Sequence, residues 1–306
     1  MKKNKNTLFY FLSLSFFCLS LPDPSSFLMA QSTSDLYALE TKKNLFGFKI
    51  DENSASPVTE REGYDNQPYF INKDQLVFAS ADEEGKSDII MYNFSTGKFT
   101  NMSRTTESSE FSPALTDCGQ YISAVRVEKD GNQRLWLYPI NMGEPELLYD
   151  DIAPVAYYGW QGDKAALVLL EEPTRLVFPY ERNDLHEIAR NTGRAVHARP
   201  KSDAVTYLDK SGNTVVDGRE TYELKAFDTE ERTESSLGLA LGGAEDFIWI
   251  SKNQILMARG MELYLRNVKK GIRWEKIASL EVPGYSHISR LALSPKGNKL
   301  VVVLEK

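Results

Sequence analysis

The feature that most constrains this chain is a turn-and-strand phrase that returns six times. It reads INKDQLVF from Ile71, LTDCGQYIS from Leu115, GWQGDKAALV from Gly159, RPKSDAVTY from Arg199, ISKNQILM from Ile250 and LSPKGNKLVV from Leu293. The first apolar residue after each turn (Leu76, Ile122, Ala165, Ala204, Ile255, Leu300) follows the one before by 46, 43, 39, 51 and 45 residues. A period of this size marks a repeat architecture, in which each unit buries its apolar faces only against its neighbours.

One copy is legible throughout. Between Glu110 and Asp150, four runs rich in β-branched and aromatic residues, Phe111 to Leu115, Tyr121 to Val127, Arg134 to Ile140 and Pro145 to Tyr149, are separated by turns built from Asp, Asn and Gly. This pattern predicts a four-stranded antiparallel meander. Its third strand recurs as SDIIMYNF from Ser87, QRLWLYPI from Gln133, TRLVFPYE from Thr174, TYELKAFD from Thr221 and MELYLRNV from Met261. A sixth copy is missing after Leu300 but stands at the other end of the chain, as SDLYALET from Ser34. A chain that begins with the outer strands of a unit and ends with its inner strands can close into a ring by pairing its termini. We therefore expect an all-β fold, a six-bladed β-propeller closed by its N-terminal and C-terminal strands.

The blades are expected at Gln67 to Ser103, at Glu110 to Asp150, from Val155 onward, around the long inter-strand segment Asp209 to Glu220, at Asp246 to Val282, and at Ile288 to Lys306 completed by Asp35 onward. The outermost strand of the closing blade is not legible. Asp209 to Glu220, rich in Gly, Asn and Asp, reads as a solvent-exposed loop. NDLHEIARNTGR from Asn183 also resembles a third strand and its turn, but that register would leave Thr174 to Glu181 without a role.

Lys2, Lys3 and Lys5 precede an apolar run from Leu8 to Leu21 that ends at Pro22, Asp23 and Pro24. The run is too short to span a bilayer comfortably and has the layout of a secretory signal peptide. The expected domains are a signal peptide over 1–30, cleaved before Gln31, and a propeller over 31–306, located in the periplasm or secreted. Phe16 and Phe17 stand where a lipobox before Cys18 would have small residues, so lipidation is not expected. Residues 1–30 hold three of the 36 Lys and Arg and one of the 43 Asp and Glu, leaving 33 against 42, a net charge of −9. Nucleic acid and anionic membrane are poor partners for such a chain. Cys118 alone remains after export, in a hairpin turn, so there is no disulfide framework.

The repeat, with Ser294, Pro295, Lys296 and Gly297 close to an SPDG turn and LYLR or LWLY following as third strand, resembles the WD-like repeats of TolB-type periplasmic propellers across residues 34 to 306. The resemblance implies a periplasmic protein-binding propeller. TolB proteins add an N-terminal α/β domain, for which no counterpart is expected in a chain read as leader plus propeller, so their docking with peptidoglycan-associated lipoprotein is not carried over residue by residue.

Chemistry is sparsely written. No G-x-S-x-G elbow, sialidase Asp-box or phosphate loop occurs, and no cofactor is expected. The carboxylates of Asp82 to Asp88 lack calcium-loop spacing. What remains is the mouth of the central channel, to which every blade sends a loop. There Asp65, Glu110, Glu245 and Asp246 are expected to face Arg194, with His197 and His287 on or near first strands. The reading is a monomeric, non-catalytic binding or scaffold propeller for an envelope protein, peptide or glycan. The alternative is a small-molecule hydrolase or lactonase with a metal in the channel near the two histidines.

Overall fold

Each predicted turn is followed by a strand that hydrogen-bonds back to its predecessor, and the computed structural model, which describes residues 33–44, 47–271 and 273–306, assembles these strands into six antiparallel sheets. The segment 1–30, with the expected leader and Cys18, lies outside the described residues. The innermost strands are Asp65–Phe70, Ser109–Leu115, Val155–Gln161, Thr192–Ala198, Phe247–Ser251 and His287–Leu293, one per blade from blade 1 to blade 6. Five sheets are continuous four-strand meanders. In the sixth, Ser34–Asn44 lies beside Lys299–Glu305, in register from Ser34↔Glu305 to Glu40↔Lys299. The chain is a six-bladed β-propeller closed by its terminal strands, as the permuted repeat requires.

Period-2 alternation explains why closure holds. On Lys299–Glu305, Leu300, Val302 and Leu304 face blade 5 with Tyr37 and Leu39, while Val301 and Val303 face blade 1 with Leu36 and Ala38. Every blade interface carries such a cluster of buried apolar side chains, and in the cluster between blades 6 and 1 the chain ends meet Phe70, Leu76 and Phe78. Polar contacts reinforce the seam: Tyr285 donates to the Asp35 carboxylate at 2.8 Å, and Asn66 Nδ2 donates to Glu305 at 3.2 Å.

The outermost strand of the closing blade is Gly47–Ile50, and Ser56–Pro57 also pairs with Ser34–Asn44 beyond a 3-10 turn at Glu52–Ser54. Arg175–Glu181 and Asp184–Arg190 are the third and fourth strands of blade 3, the register preferred from the sequence. The expected loop at Asp209 to Glu220 is corrected. After an irregularity between Asp209 and Thr214 the strands continue, pairing Thr214↔Thr221, Val215↔Glu220 and Val216↔Arg219 around Asp217 and Gly218 at φ 52° and 72°. Thr214, Val215 and Val216 favour a strand, and Asp-Gly at positive φ is the two-residue turn that matches strand twist. The segment is exposed as expected, but it is a projecting hairpin.

Candidate functional site

All six innermost strands break register with the second strand of their blade, between Asn66/Tyr69, Phe111/Ala114, Val155/Tyr157, Thr192/Val196, Trp249/Ser251 and Ile288/Arg290. Such bulges bend a strand and re-aim its side chains. Gln67 and Ser112 occupy equivalent bulge positions at φ 56° and 53°, and the Ser112 N–H donates to Gln67 Oε1 at 2.6 Å, tying blade 2 to blade 1.

The bulged strands together wall one central cavity of about 410 Å³, to which every blade contributes. Its upper part, near the starts of the inner strands, is polar. Arg194 on blade 4 reaches past blade 5 and donates from Nη2 to the carbonyl of Ser289 on blade 6 at 2.9 Å. Its Nε is shielded from solvent and has no hydrogen-bond partner. Burial first, and then the neighbouring Arg290 guanidinium, holds Arg194 below the usual arginine range. Arg290 contacts Asp246 at 3.5 Å and lies 5.8 Å from the centre of the Tyr157 ring, while the second Asp246 oxygen accepts from the Leu291 N–H at 2.9 Å. Tyr64 sits in the field of the same arginines, and burial pushes its hydroxyl far up.

The lower part is aromatic. Trp160 and Trp249 hold equivalent positions on blades 3 and 5, each donating its indole N–H to a hydroxyl on the preceding blade, Ser123 at 2.8 Å and Thr206 at 2.9 Å. Those hydroxyls donate in turn to inner-strand carbonyls, Ser123 to Ala114 at 3.0 Å and Thr206 to His197 at 2.8 Å. The His197 ring packs edge-on against Phe247 at 5.0 Å, and its Nε2 is unpartnered. Burial lowers its pKa, so the ring is neutral near pH 7.

Of the seven residues expected at the mouth, the structure brings Arg194, His197 and Asp246 into this cavity. Glu245 and His287 line a smaller pocket of about 210 Å³ between blades 5 and 6, which Arg194 and Asp246 also border. Glu245 pairs with Lys210 at 2.7 Å, and His287 Nδ1 lies 2.9 Å from Ser286 Oγ.

Asp65 and Glu110 correct the expectation of one cluster. Both are fully buried, line neither pocket and are engaged by their own blades and the segments leading into them. Asp65 accepts a two-pronged contact from Arg61 at 2.6 and 2.9 Å and a hydrogen bond from Ser80 at 2.6 Å. Glu110 accepts from Thr105 and Tyr138, each at 3.0 Å. Burial pushes the Glu110 carboxyl up, and these hydrogen bonds oppose the shift. An uncompensated buried carboxylate would be costly, so both recruit donors and belong to the scaffold.

Sequence reasoning missed Arg290, Tyr157, Trp160 and Trp249. The aromatic VAYYGW segment and Trp249 were visible, but the bulges hide which residues face the channel. His197 stands near the end of its strand and His287 at the start of its own, and they line different pockets. Among the described residues no three His, Cys, Asp or Glu side chains come together as a metal site needs. Nor does any helix among them have the length and apolarity to cross a membrane.

No protein-family model matches the sequence, and no curated protein sequence matches it. Solved structures do match in fold. A protein described as TolB from Agrobacterium tumefaciens superposes with a TM-score of 0.63 at 9% identity, over 90% of this chain and 99% of that one. TolB from Acinetobacter baumannii superposes at 0.55 and 9% identity, over 90% of this chain and 64% of that longer one. An oligogalacturonate lyase from Vibrio parahaemolyticus superposes at 0.49 and 12% identity, over 90% and 98%. At such identities the two TolB structures establish a shared six-bladed propeller fold.

Proposed function

We propose that this TolB-like propeller is an exported, non-catalytic binding module of the cell envelope, which receives a protein, peptide or glycan partner at the mouth of its central channel. One observation carries the reading: six inner strands converge on a single cavity lined by Arg194, Arg290 and Asp246 together with Trp160 and Trp249, a few preformed polar groups in a concave and partly aromatic site. The TolB-like fold supports a binding role. Export rests on the charged and apolar layout of 1–30.

The test is affinity capture from envelope extract. Wild-type protein should retain a partner that the double variant Arg194→Met, Glu245→Ala releases, with the melting temperature preserved. Glu245 is a partly exposed member of an ion pair, and such pairs contribute about 0–1 kcal/mol to stability. Methionine keeps the apolar stem of Arg194 while removing a poorly solvated charge. Purified protein that carries a stoichiometric metal and hydrolyses a lactone or ester, with activity lost in His197→Ala or His287→Ala, would establish the hydrolase alternative instead.

A further inference from the structure

The charge inside the channel is opposite to that of the molecule. The whole chain carries a net charge of −7, yet the charged residues of the cavity wall are Arg194, Arg290 and Asp246, a balance of +1 with His197 neutral. The two guanidinia lie close enough to disfavour one another electrostatically. No carboxylate comes within 4 Å of Arg194 among the described residues, and its one hydrogen bond leaves Nε free. Beside the Tyr157 ring, Arg290 has one carboxylate contact, at 3.5 Å, to an Asp246 that also accepts from the Leu291 N–H. Two partly buried guanidinia thus share the Asp246 carboxylate, with Glu245 acting on Arg194 from farther off, and such incompletely compensated charges are costly to bury and cluster at functional sites.

Resting on the reading of the channel as a binding site, we infer that it takes an organic monocarboxylate, with the carboxylate between Arg194 and Arg290 and an apolar or ring-bearing body directed toward Trp160 and Trp249. The balance of +1 is met by a monoanion. The guanidinia of Arg194 and Arg290 both line the cavity, and their planar donor groups match a flat carboxylate. Below them the cavity turns aromatic and apolar, its wall including Ile248 and Pro295 as well as the two indoles, so the ligand has a charged head and a ring or hydrocarbon body. A cavity of about 410 Å³ admits a small free acid or the last residues of a peptide. Both sources present the same carboxylate.

The experiment is calorimetric titration of the full protein with two matched pairs, 3-phenylpropionate against 3-phenylpropanamide and acetyl-Ala-Ala-Phe against its C-terminal amide, with inorganic phosphate as a third anion. At least one acid should bind about tenfold or more tighter than its amide, as charge-assisted hydrogen bonds require. Preference confined to the peptide pair assigns a chain terminus, and preference in the small pair assigns a free acid; either supports the inference. Arg194→Met and Arg290→Met should each reduce the preference to about twofold or less, with Arg194→Lys intermediate because it keeps charge without the fork. Circular dichroism melting of each variant shows whether it is folded, and Arg194→Gln, tested alongside, keeps a donor should Met unfold the protein. Equal affinity of both acids and their amides, no binding of either acid, or phosphate binding as tightly as the acids would overturn the carboxylate assignment. Envelope capture that is sensitive to Arg194→Met without acid preference would leave the binding reading standing and remove this inference. Acid preference without an envelope partner would do the reverse.

Discussion

Removing the side chains by which the N-terminal strand closes the ring should unfold the protein from its seam. Leu36 and Leu39 are both 0% exposed on Ser34–Asn44 but point to opposite faces, Leu36 into the cluster between blades 6 and 1 and Leu39 into that between blades 5 and 6. Each Leu→Ala change loses the transfer energy of the buried side chain and leaves a cavity, together about 2–5 kcal/mol. Because they fill different clusters the two losses should nearly add, to about 6 kcal/mol, against a typical total stability of about 5–15 kcal/mol. Each single variant should melt about 6–12 °C below wild type, and the double variant should be largely unfolded or aggregated. Lys42→Ala, on the exposed end of the same strand, should change stability by no more than about 0.5 kcal/mol. Deleting Ser34 to Thr41 strips Lys299–Glu305 of its partner and exposes an apolar edge that invites association. Urea denaturation followed by circular dichroism, with light scattering for mass, measures all of these. If the single variants cost less than about 1 kcal/mol, or the deletion stays monomeric and melts at the wild-type temperature, terminal pairing is not what holds the ring.

Three further outcomes are expected. A Cβ on Gly159 would sit 2.3 Å from the Val196 carbonyl oxygen and 2.8 Å from its carbon, so Gly159→Ala must push the inner strands of blades 3 and 4 apart. It should cost about 1–3 kcal/mol or more in denaturant titration, whereas Gly212→Ala, with nothing within 4 Å, should be close to neutral. Burial holds the folded-state pKa of His197 below the ordinary value of about 6.5, so the unfolded chain takes the proton first and stability falls as pH drops below about 6.5 toward the lower folded value. The fall of melting temperature with falling pH across that window should be steeper in wild type than in His197→Gln, and equal pH slopes would refute a buried neutral ring. Intact mass of protein recovered from the periplasm should correspond to a chain starting near Gln31; retention of Met1 to Ala30 there would exclude the cleaved leader.

The blade ladder, its register and its closure were legible because they are carried by neighbours in sequence. Turn residues at a constant offset and period-2 runs such as Lys299–Glu305 specify strands locally, and the displaced SDLYALET copy specifies the seam. Asp217 and Gly218 were a legible hairpin signal as well, obscured by the polar residues around them. The site was decided by the tertiary structure. A bulge on each innermost strand shifts the alternation, so no pattern in His287–Leu293 tells that Arg290 faces the channel. Asp65, Glu110 and Asp246 are acids at comparable positions, yet Arg61 and Ser80 absorb the first, Thr105 and Tyr138 the second, and the third stays on the cavity wall. Arg194 meets Ser289 across 95 residues and past an intervening blade. A contact of that kind exists only once the ring has closed, because ring geometry, rather than any local preference, brings the inner strands of six blades to one axis.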